Sequence, residues 1–142
     1  MPSATLQKYN EFKQDVGLGA HNLDTGVIKF ALTNTAPTAT DASFTTVTYP
    51  APAAANGYTA LGHTGTVTYT ESGGTGTLAL SANIDVVATA GGIGPFRYVV
   101  VYNDTTTSPV DALIGWFDYG SSITLASGET FTINSGTLLT IS

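Results

Sequence analysis

Two mostly apolar runs, separated by a polar stretch, stand out near the middle of the chain, at residues 96–102 and 112–119. Both runs are rich in β-branched and aromatic side chains, which favour strands. Residues 103–109 between them are Asn, Asp, Thr, Ser and Pro, a composition typical of a loop. Because residues 99–101 are successive valines, both faces of the first strand should be covered. The pattern predicts a central strand, loop and strand, with Trp116 in the core or at an interface.

Shorter runs on both sides of this hairpin predict further strands. They cover residues 27–33, 44–49, 65–69, 77–81, 83–89, 123–125, 130–134 and 137–142. We expect residues 77–81 to return along 65–69 and residues 130–134 to return along 123–125, because a turn containing glycine separates each pair. Residues 83–89 either continue the strand before them or form a new one.

The order of these elements is typical of an all-β domain, an antiparallel β-sandwich or jelly roll with one short N-terminal helix. We expect a helical arm at residues 1–19 and a jelly-roll body at residues 20–142, with loops at residues 34–43 and 53–57. A closed barrel is the alternative. The length of 142 residues suits one domain with its own core.

One stretch near the N-terminus has the period of a helix. Four apolar residues recur there at spacings of three or four: Leu6, Tyr9, Phe12 and Val16. This pattern predicts a helix over residues 4–16, with Ser3 as its N-cap and residues 17–19 as its end. So short a helix must dock its apolar stripe, either on its own domain or on a neighbouring subunit.

The charge of the chain limits the classes of partner. Only 10% of the residues are charged, the formal net charge is -6, and four residues are basic. A chain without a positive patch does not suit nucleic acid or an anionic membrane surface. No run approaches the roughly 20 apolar residues of a membrane span, and the first residues do not resemble a signal peptide. The chain has no cysteine, so we expect protein partners and no disulfides.

Motifs typical of an active site or a metal centre are absent from the sequence. His21 and His63 stand in loop-like contexts without a metal-binding or nucleophile motif. Asp104 and Asp111 are candidates for a calcium site, but turn chemistry explains them more simply, because the sequence has no D-x-D-x-D-G series. Four acidic residues are candidates for a glycosidase pair: Glu71, Asp85, Asp118 and Glu129. We predict no enzyme activity and no catalytic, cofactor-binding or metal-binding residues.

Four aromatic residues cluster in the central hairpin: Tyr98, Tyr102, Trp116 and Tyr119. Strand alternation places Tyr98 and Tyr102 on one face, where they could form a platform for a sugar or a nucleobase. The neighbouring valines favour a core instead. We therefore predict that these rings pack inside the fold.

Three segments stand in order along the chain: residues 8–41 (KYNEFKQDVGLGAHNLDTGVIKFALTNTAPTATD), residues 56–67 (NGYTALGHTGTV) and residues 91–133, which begin GGIGPFRYVVVYNDTTTSPVDALIGWFDYG. Together they resemble a widespread family of small virion structural proteins of tailed bacteriophages. The resemblance covers most of the chain. A small jelly-roll protein of this kind is similar to the cement or decoration proteins of phage capsids, and that step rests on analogy.

The resemblance implies a protein on the outer surface of the phage head. Its partner would be the major capsid protein, and it would form a dimer or trimer, because symmetric assembly suits the axes of the shell. No cofactor, nucleic acid or membrane is implied. The helix and two loops supply the candidate contact residues: Leu6, Tyr9, Phe12, Val16, Thr38, Asp41, Thr106 and Pro109.

Two other functions remain open at this point. A tail, baseplate or receptor- and glycan-binding component of the virion would use the same β-architecture. An enzyme acting on host polysaccharide would need the acidic residues named above to cluster in a cleft.

Overall fold

The computed structural model describes residues 5–52, 56–59 and 61–141. Strands account for 52% of the chain and helix for 6%. Every strand pairing in this part of the chain is antiparallel. The predicted fold, mostly β with one short helix, is therefore confirmed.

The elements follow one another in this order: β1 (Gln7–Lys8), α1 (Asn10–Gly17), β2 (Ile28–Thr33), β3 (His63–Gly65), β4 (Val67–Ser72), β5 (Thr75–Leu80), β6 (Ile84–Val87), β7 (Ile93–Thr107), β8 (Val110–Leu125), β9 (Thr130–Ile133) and β10 (Gly136–Ile141). A five-stranded sheet has the order β1-β8-β7-β2-β3. A three-stranded sheet has the order β10-β5-β4, and β6 pairs with β9. The hairpin of β4 and β5 and the pairing of the last strand into a sheet confirm two predictions; Ser142, at the end of that predicted strand, lies outside the described residues.

The central hairpin is formed by β7 and β8, as predicted. Its predicted loop at residues 103–109 is wrong, because β7 continues through Thr107 and only the next two residues form the turn. The hydroxyl of Thr106 accepts a hydrogen bond of 2.8 Å from the backbone N–H of Ala112. It also donates one of 3.1 Å to the carbonyl oxygen of Asn103. These bonds hold a polar stretch inside an irregular ladder, which composition alone does not indicate.

Both faces of the five-stranded sheet are covered, as the three valines predicted. Val99 and Val101 belong to a first core cluster, which also contains side chains from the two smaller sheets. Val100 belongs to a second core cluster on the opposite face. This second cluster consists of Tyr9, Ala31, Phe44, Tyr49, Val100, Tyr102 and Leu113, with the half-buried Trp116 packed against it. The long connection after β2 therefore acts as a cover for one face of the sheet.

The N-terminal helix is shorter than predicted. It begins at Asn10, not at residue 4, because the chain before it is extended and β1 pairs with β8. Tyr9 is still in an extended conformation, and its backbone N–H donates to the carbonyl oxygen of Ile114 at 3.2 Å. The helix ends at Gly17, close to the predicted end. Ser3, the predicted cap, lies outside the described residues.

The predicted strand at residues 44–49 is wrong. This stretch contains a turn, and in the described residues its backbone meets the sheet at the bridge between Ser43 and Ala112, just before it, where the N–H of Phe44 donates to the carbonyl oxygen of Asp111 at 2.9 Å. The hydroxyl of Thr45 accepts a 3.0 Å hydrogen bond from the backbone N–H of Thr48, and such local bonds compete with a ladder. The predicted loop at residues 34–43 is confirmed, apart from that single bridge at its end. Most of the loop predicted at residues 53–57 lies outside the described residues.

Two further strand predictions differ from the structure. The stretch 65–69 is divided between β3 and β4, which belong to different sheets, so the chain crosses between the sheets at Thr66. The strand β9 pairs with β6 and not with residues 123–125, which are the end of β8. The backbone N–H of Ala88 donates to the carbonyl oxygen of Glu129 at 2.9 Å, and this bond aligns the start of β9 with β6.

Candidate functional site

A groove of about 360 Å³ separates the helix α1 from the last strand, β10. We call it the α1 groove. Its lining consists of Lys8, Phe12, Lys13, Val16, Thr140 and Ile141. The groove therefore lies between the first helix and the last strand of the described residues.

The strand β1 fixes one wall of the α1 groove. Lys8 lies opposite Gly115 of β8, and its ammonium group donates a hydrogen bond of 3.1 Å to the carbonyl oxygen of Thr140 on β10. A Cβ at Gly115 would lie 2.5 Å from the carbonyl oxygen of Gln7. Only glycine at this position lets β1 approach β8 so closely, and this approach sets the position of Lys8.

The floor of the α1 groove is apolar and belongs to the core of the protein. Phe12 is 1% exposed and is part of the first core cluster. Val16 and Ile141 are half-buried and pack against the same cluster. A floor anchored in this way is largely preformed, which reduces the entropy lost when a partner binds.

The charge of the α1 groove is opposite to that of the whole chain. Two of the four basic residues form ion pairs: Lys29 with Asp104 at 3.2 Å, and Arg97 with Asp118 at 2.8 Å. The other two, Lys8 and Lys13, line the groove, and no carboxylate of the described residues forms an ion pair with them. Glu11 and Asp15 are two residues from Lys13, about 200° around the helix, on its opposite side. The groove is a local positive site on an acidic protein.

A second groove of about 380 Å³ lies on the other side of Val16. We call it the His21 groove. Its other lining residues are Gly19, His21, Asn22, Leu23, Asp24 and Tyr69. Leu18 directly follows the helix and is 74% exposed. In the sequence it stands between Val16, which lines both grooves, and Gly19, which lines the His21 groove. The surface around α1 therefore presents two depressions and one exposed apolar side chain.

His21 belongs to a half-buried polar network of the fold. Its Nδ1 lies 3.3 Å from Nδ2 of Asn103, and its ring is 5.2 Å from the ring of Phe12. Burial lowers the pKa of His21 to about 4, so the ring is neutral at pH 7. A neutral ring that accepts a hydrogen bond from Asn103 carries its proton on Nε2, which is buried and has no partner among the described residues.

His63 does not lie in a loop, as the sequence suggested. It is the first residue of β3, and its Nε2 accepts a hydrogen bond of 3.3 Å from the backbone N–H of Thr59. Its ring lies 5.5 Å from the ring of Tyr58, and burial lowers its pKa. Both histidines are therefore tied to the fold by neighbouring residues.

The acidic candidates have local partners. Three of them accept a hydrogen bond: Glu71 from the N–H of Gly74 (2.7 Å), Asp85 from the hydroxyl of Thr132 (2.7 Å) and Glu129 from the N–H of Ala126 (2.6 Å). The fourth, Asp118, forms the ion pair with Arg97. The hydrogen bond from Arg97 lowers the pKa of Asp118. In the part of the chain that the structure describes, no three His, Asp or Glu residues form a group that could hold a metal ion.

The aromatic platform considered from the sequence is partly a core feature. Tyr102 is buried, and its ring stacks on Phe44 with centroids 4.2 Å apart and planes at 2°. Tyr98 remains half-buried, with the guanidinium of Arg97 5.3 Å from its ring centre. Tyr119 lies 5.8 Å from Phe131 of the first core cluster. The prediction of a core is confirmed for Tyr102.

The predicted contact residues fall into two groups. Leu6, Tyr9 and Phe12 are buried within the protein, so their side chains are not available to a neighbour. Among the four predicted contact residues of this stretch, Val16 is the one that remains partly open, and it lines both grooves. The structure therefore supports docking of the helix on its own domain.

The loop candidates lie elsewhere: Thr38 and Asp41 in the connection after β2, and Thr106 and Pro109 at the tip of the β7–β8 hairpin. Thr38 is exposed, and Asp41 accepts a hydrogen bond from the hydroxyl of Tyr49. Thr106 is buried with both of its hydrogen bonds satisfied, so it is a structural residue. Pro109 is half-buried at the turn of the hairpin. The structure does not bring these residues to the α1 groove.

No protein-family model, curated protein or solved structure matches this chain. The resemblance to phage virion proteins therefore stays a prediction. No helix within residues 5–52, 56–59 and 61–141 is long and apolar enough to cross a membrane.

Four residues of the α1 groove were not predicted from the sequence: Lys8, Lys13, Thr140 and Ile141. The sequence held one signal, because two of the four basic residues lie within an N-terminal stretch with an apolar stripe. The contact between Lys8 and Thr140 spans 132 positions and had no signal.

Proposed function

We propose that this chain is a non-enzymatic structural protein of a tailed-phage virion. It acts as a cement or decoration protein on the outer surface of the head, where subunits of the major capsid protein meet. It assembles there as a dimer or trimer. The proposal includes a jelly-roll arrangement of the strands. The packing of the five-stranded sheet against the two smaller sheets supports it.

The observation that carries this proposal is the α1 groove. It combines an anchored apolar floor of Phe12, Val16 and Ile141 with the ammonium groups of Lys8 and Lys13. Binding sites for partners commonly join a rigid apolar centre with a polar rim. The groove lies on a protein with few charges elsewhere, which suits extensive contact with another protein.

The mechanism is physical. Each copy adds buried area across a joint between capsid subunits, and symmetry repeats this contact over the shell. Many modest interfaces together raise the free energy needed to open the particle, which packaged DNA strains. The net charge of -6 disfavours binding to that DNA and keeps the protein on the outer surface.

Cosedimentation of the purified protein with capsids stripped of it, beside isolated tails, tests the proposal. We expect saturable binding to heads and less DNA release on heating. The variants Lys13→Gln and Ser121→Glu change the net charge equally, and Ser121 is exposed on β8 six residues beyond Gly115. Lys13→Gln should weaken binding to heads, whereas Ser121→Glu should not. Binding to tails alone, or to neither particle, would overturn the proposal.

A second candidate is a tail, baseplate or glycan-binding component, and the His21 groove favours it. The groove offers the half-buried ring of Tyr69 beside Asn22 and Asp24. An aromatic face with a few polar groups suits a sugar ring. For this function, Tyr69→Ala should abolish binding to host-cell polysaccharide in a pull-down assay, while Lys13→Gln should leave it unchanged.

A further inference from the structure

The strand β10 is an edge strand beside the α1 groove. It pairs with β5 on one side, and no strand of the described residues pairs with it on the other. On the opposite wall, β1 is the edge strand of the five-stranded sheet. The groove is therefore a gap between the edges of two sheets, with α1 beside it.

Lys8 bridges this gap. Its side chain leaves β1 and donates to the carbonyl oxygen of Thr140 on β10. Proteins often place lysine at an open strand edge, since its charge prevents uncontrolled pairing with other chains. The carbonyl oxygen of Thr140 accepts this bond from a side chain and not from a neighbouring strand. When a partner strand arrives, a backbone N–H of that strand can replace the ammonium group as the donor.

The regular part of β10 coincides with the groove. The register of β10 against β5 shifts between Thr137 and Leu139, and such bulges blunt an edge. The residues after the bulge, 139–141, pair regularly with β5. Thr140 and Ile141 of this part line the groove. An added strand would find about three residues of regular backbone there, too few to bind strongly without side-chain contacts.

We propose that the α1 groove binds an extended acidic peptide segment, which adds to β10 as a further antiparallel or parallel strand. The backbone of the segment hydrogen-bonds to residues 139–141. Its carboxylates pair with Lys8 and Lys13, and an apolar side chain rests on the half-buried Val16 and Ile141. The inference names the chemistry of the partner, and it rests on the proposed function only for the identity of the protein that carries the segment.

Charge complementarity favours this occupant over the alternatives. A basic segment would be repelled by the two lysines. A nucleic acid would meet the negative field of a chain with net charge -6 and would gain nothing from the apolar floor. A second copy of the chain is acidic overall, but the described part of its N-terminal segment already forms β1 and α1. That segment is therefore not free to add to β10 of another copy as an extended strand.

A short fluorescein-labelled peptide that alternates valine and glutamate is the probe. Fluorescence anisotropy should show binding that weakens as salt is added. Lys13→Gln should weaken it about tenfold, because a hydrogen bond to a charged group is lost. Ser121→Glu, with the same net charge, should bind the peptide as the original chain does. The same peptide with lysine in place of glutamate should not bind.

Two measurements separate strand addition from simple charge attraction. N-methylation of alternate peptide bonds removes the donors of a strand and should abolish binding. Amide hydrogen exchange should slow at residues 139–141 when the peptide binds. Equal binding of the N-methylated peptide or of the lysine peptide would overturn the inference. Slowed exchange confined to β3, the other edge of the large sheet, or self-association of the chain that displaces the peptide, would also overturn it.

The inference and the proposed function fail in different ways. If the protein binds stripped heads but does not bind the acidic peptide, and Lys13→Gln binds heads normally, the inference is wrong and the function stands. If the peptide binds at β10 but neither heads nor tails bind the protein, the inference stands and the function is wrong.

Discussion

The hydroxyl of Tyr9 donates a hydrogen bond of 3.0 Å to the hydroxyl of Tyr49, which in turn donates to the carboxylate of Asp41. Tyr9 is 0% exposed and immediately precedes α1, whereas Tyr49 belongs to the connection that covers the second core cluster. Burial raises the pKa of both hydroxyls, so both stay protonated at neutral pH. This chain of bonds fastens the N-terminal segment to a long loop on one face of the sheet.

The direction of these bonds predicts unequal effects of two similar substitutions. Tyr9→Phe removes one donor, while Tyr49 keeps its bond to Asp41, so the free energy of unfolding should fall by about 1 kcal/mol. Tyr49→Phe leaves the buried hydroxyl of Tyr9 without an acceptor, and the fall should be about 1 to 3 kcal/mol. Urea denaturation of both variants measures the difference. A larger loss for Tyr9→Phe would contradict the network.

The close approach of β1 to β8 at Gly115 predicts a second effect. Gly115→Ala should lower the free energy of unfolding by about 1 to 3 kcal/mol, because the new Cβ would push the carbonyl of Gln7 and displace Lys8. Gly17→Ala is the control, since a Cβ there meets nothing within 4 Å. Thermal unfolding compares the two. The packing argument fails if both variants melt like the original chain.

A substitution of Phe12 tests whether the helix stabilises its own domain or serves only to bind a neighbouring subunit. Phe12→Ala should lower the free energy of unfolding by about 3 to 5 kcal/mol, because the ring is buried in the first core cluster. Lys13→Ala, on the exposed side of the same turn, should change stability by less than about 0.5 kcal/mol. Guanidinium denaturation measures both. A helix that served only to clamp a neighbouring subunit would leave the monomer equally stable with Phe12→Ala.

The central hairpin could be predicted because its two signals agree. Two apolar runs rich in β-branched and aromatic residues indicated β7 and β8, and three successive valines indicated a strand covered on both faces. Val99 and Val100 do point into different core clusters. Local pattern therefore predicts an element well when burial on its own faces determines the choice of residues.

The start of the helix could not be predicted, because Leu6 and Tyr9 satisfy two patterns. They fit the spacing of a helix, yet they are buried from an extended segment that pairs with β8. Sequence pattern records that a side chain is buried, but not which backbone brings it there. The same limit applies to Thr66, where the chain changes sheets directly after Gly65, which local pattern indicated only as the start of a strand.

The α1 groove depends on a contact between the first and the last strand of the described residues, β1 and β10. Lys8 and Thr140 are 132 positions apart, and no sequence motif links them or singles out either residue. Their contact follows from the order of strands in two sheets, which short-range patterns do not encode. Two of the three apolar residues of the groove, Phe12 and Val16, were nevertheless among the residues that the helical period indicated.

The half-buried ring of His21 predicts how stability depends on pH. Burial lowers its pKa to about 4 in the folded chain, whereas an unfolded histidine has a pKa near 6.5. Between these values the unfolded chain binds more protons, so the free energy of unfolding falls as the pH falls from about 6.5 to about 4. It is unaffected by this group above that range. Because the ring is only partly buried, solvent screening makes the loss smaller than the full pKa shift would give.

Two substitutions isolate the contribution of His21. His21→Gln removes the titrating group while its amide oxygen can still accept a hydrogen bond from Asn103, so stability should fall less between pH 6.5 and pH 4. His63→Gln is the matched control, because burial lowers the pKa of His63 in the same direction but His21 still titrates. Urea denaturation at intervals of pH measures both slopes, and the carboxylates common to the two variants cancel in the comparison. The prediction is wrong if His21→Gln keeps the full pH dependence of the free energy of unfolding while His63→Gln loses it. The pH dependence would then come from His63 on β3 and not from His21.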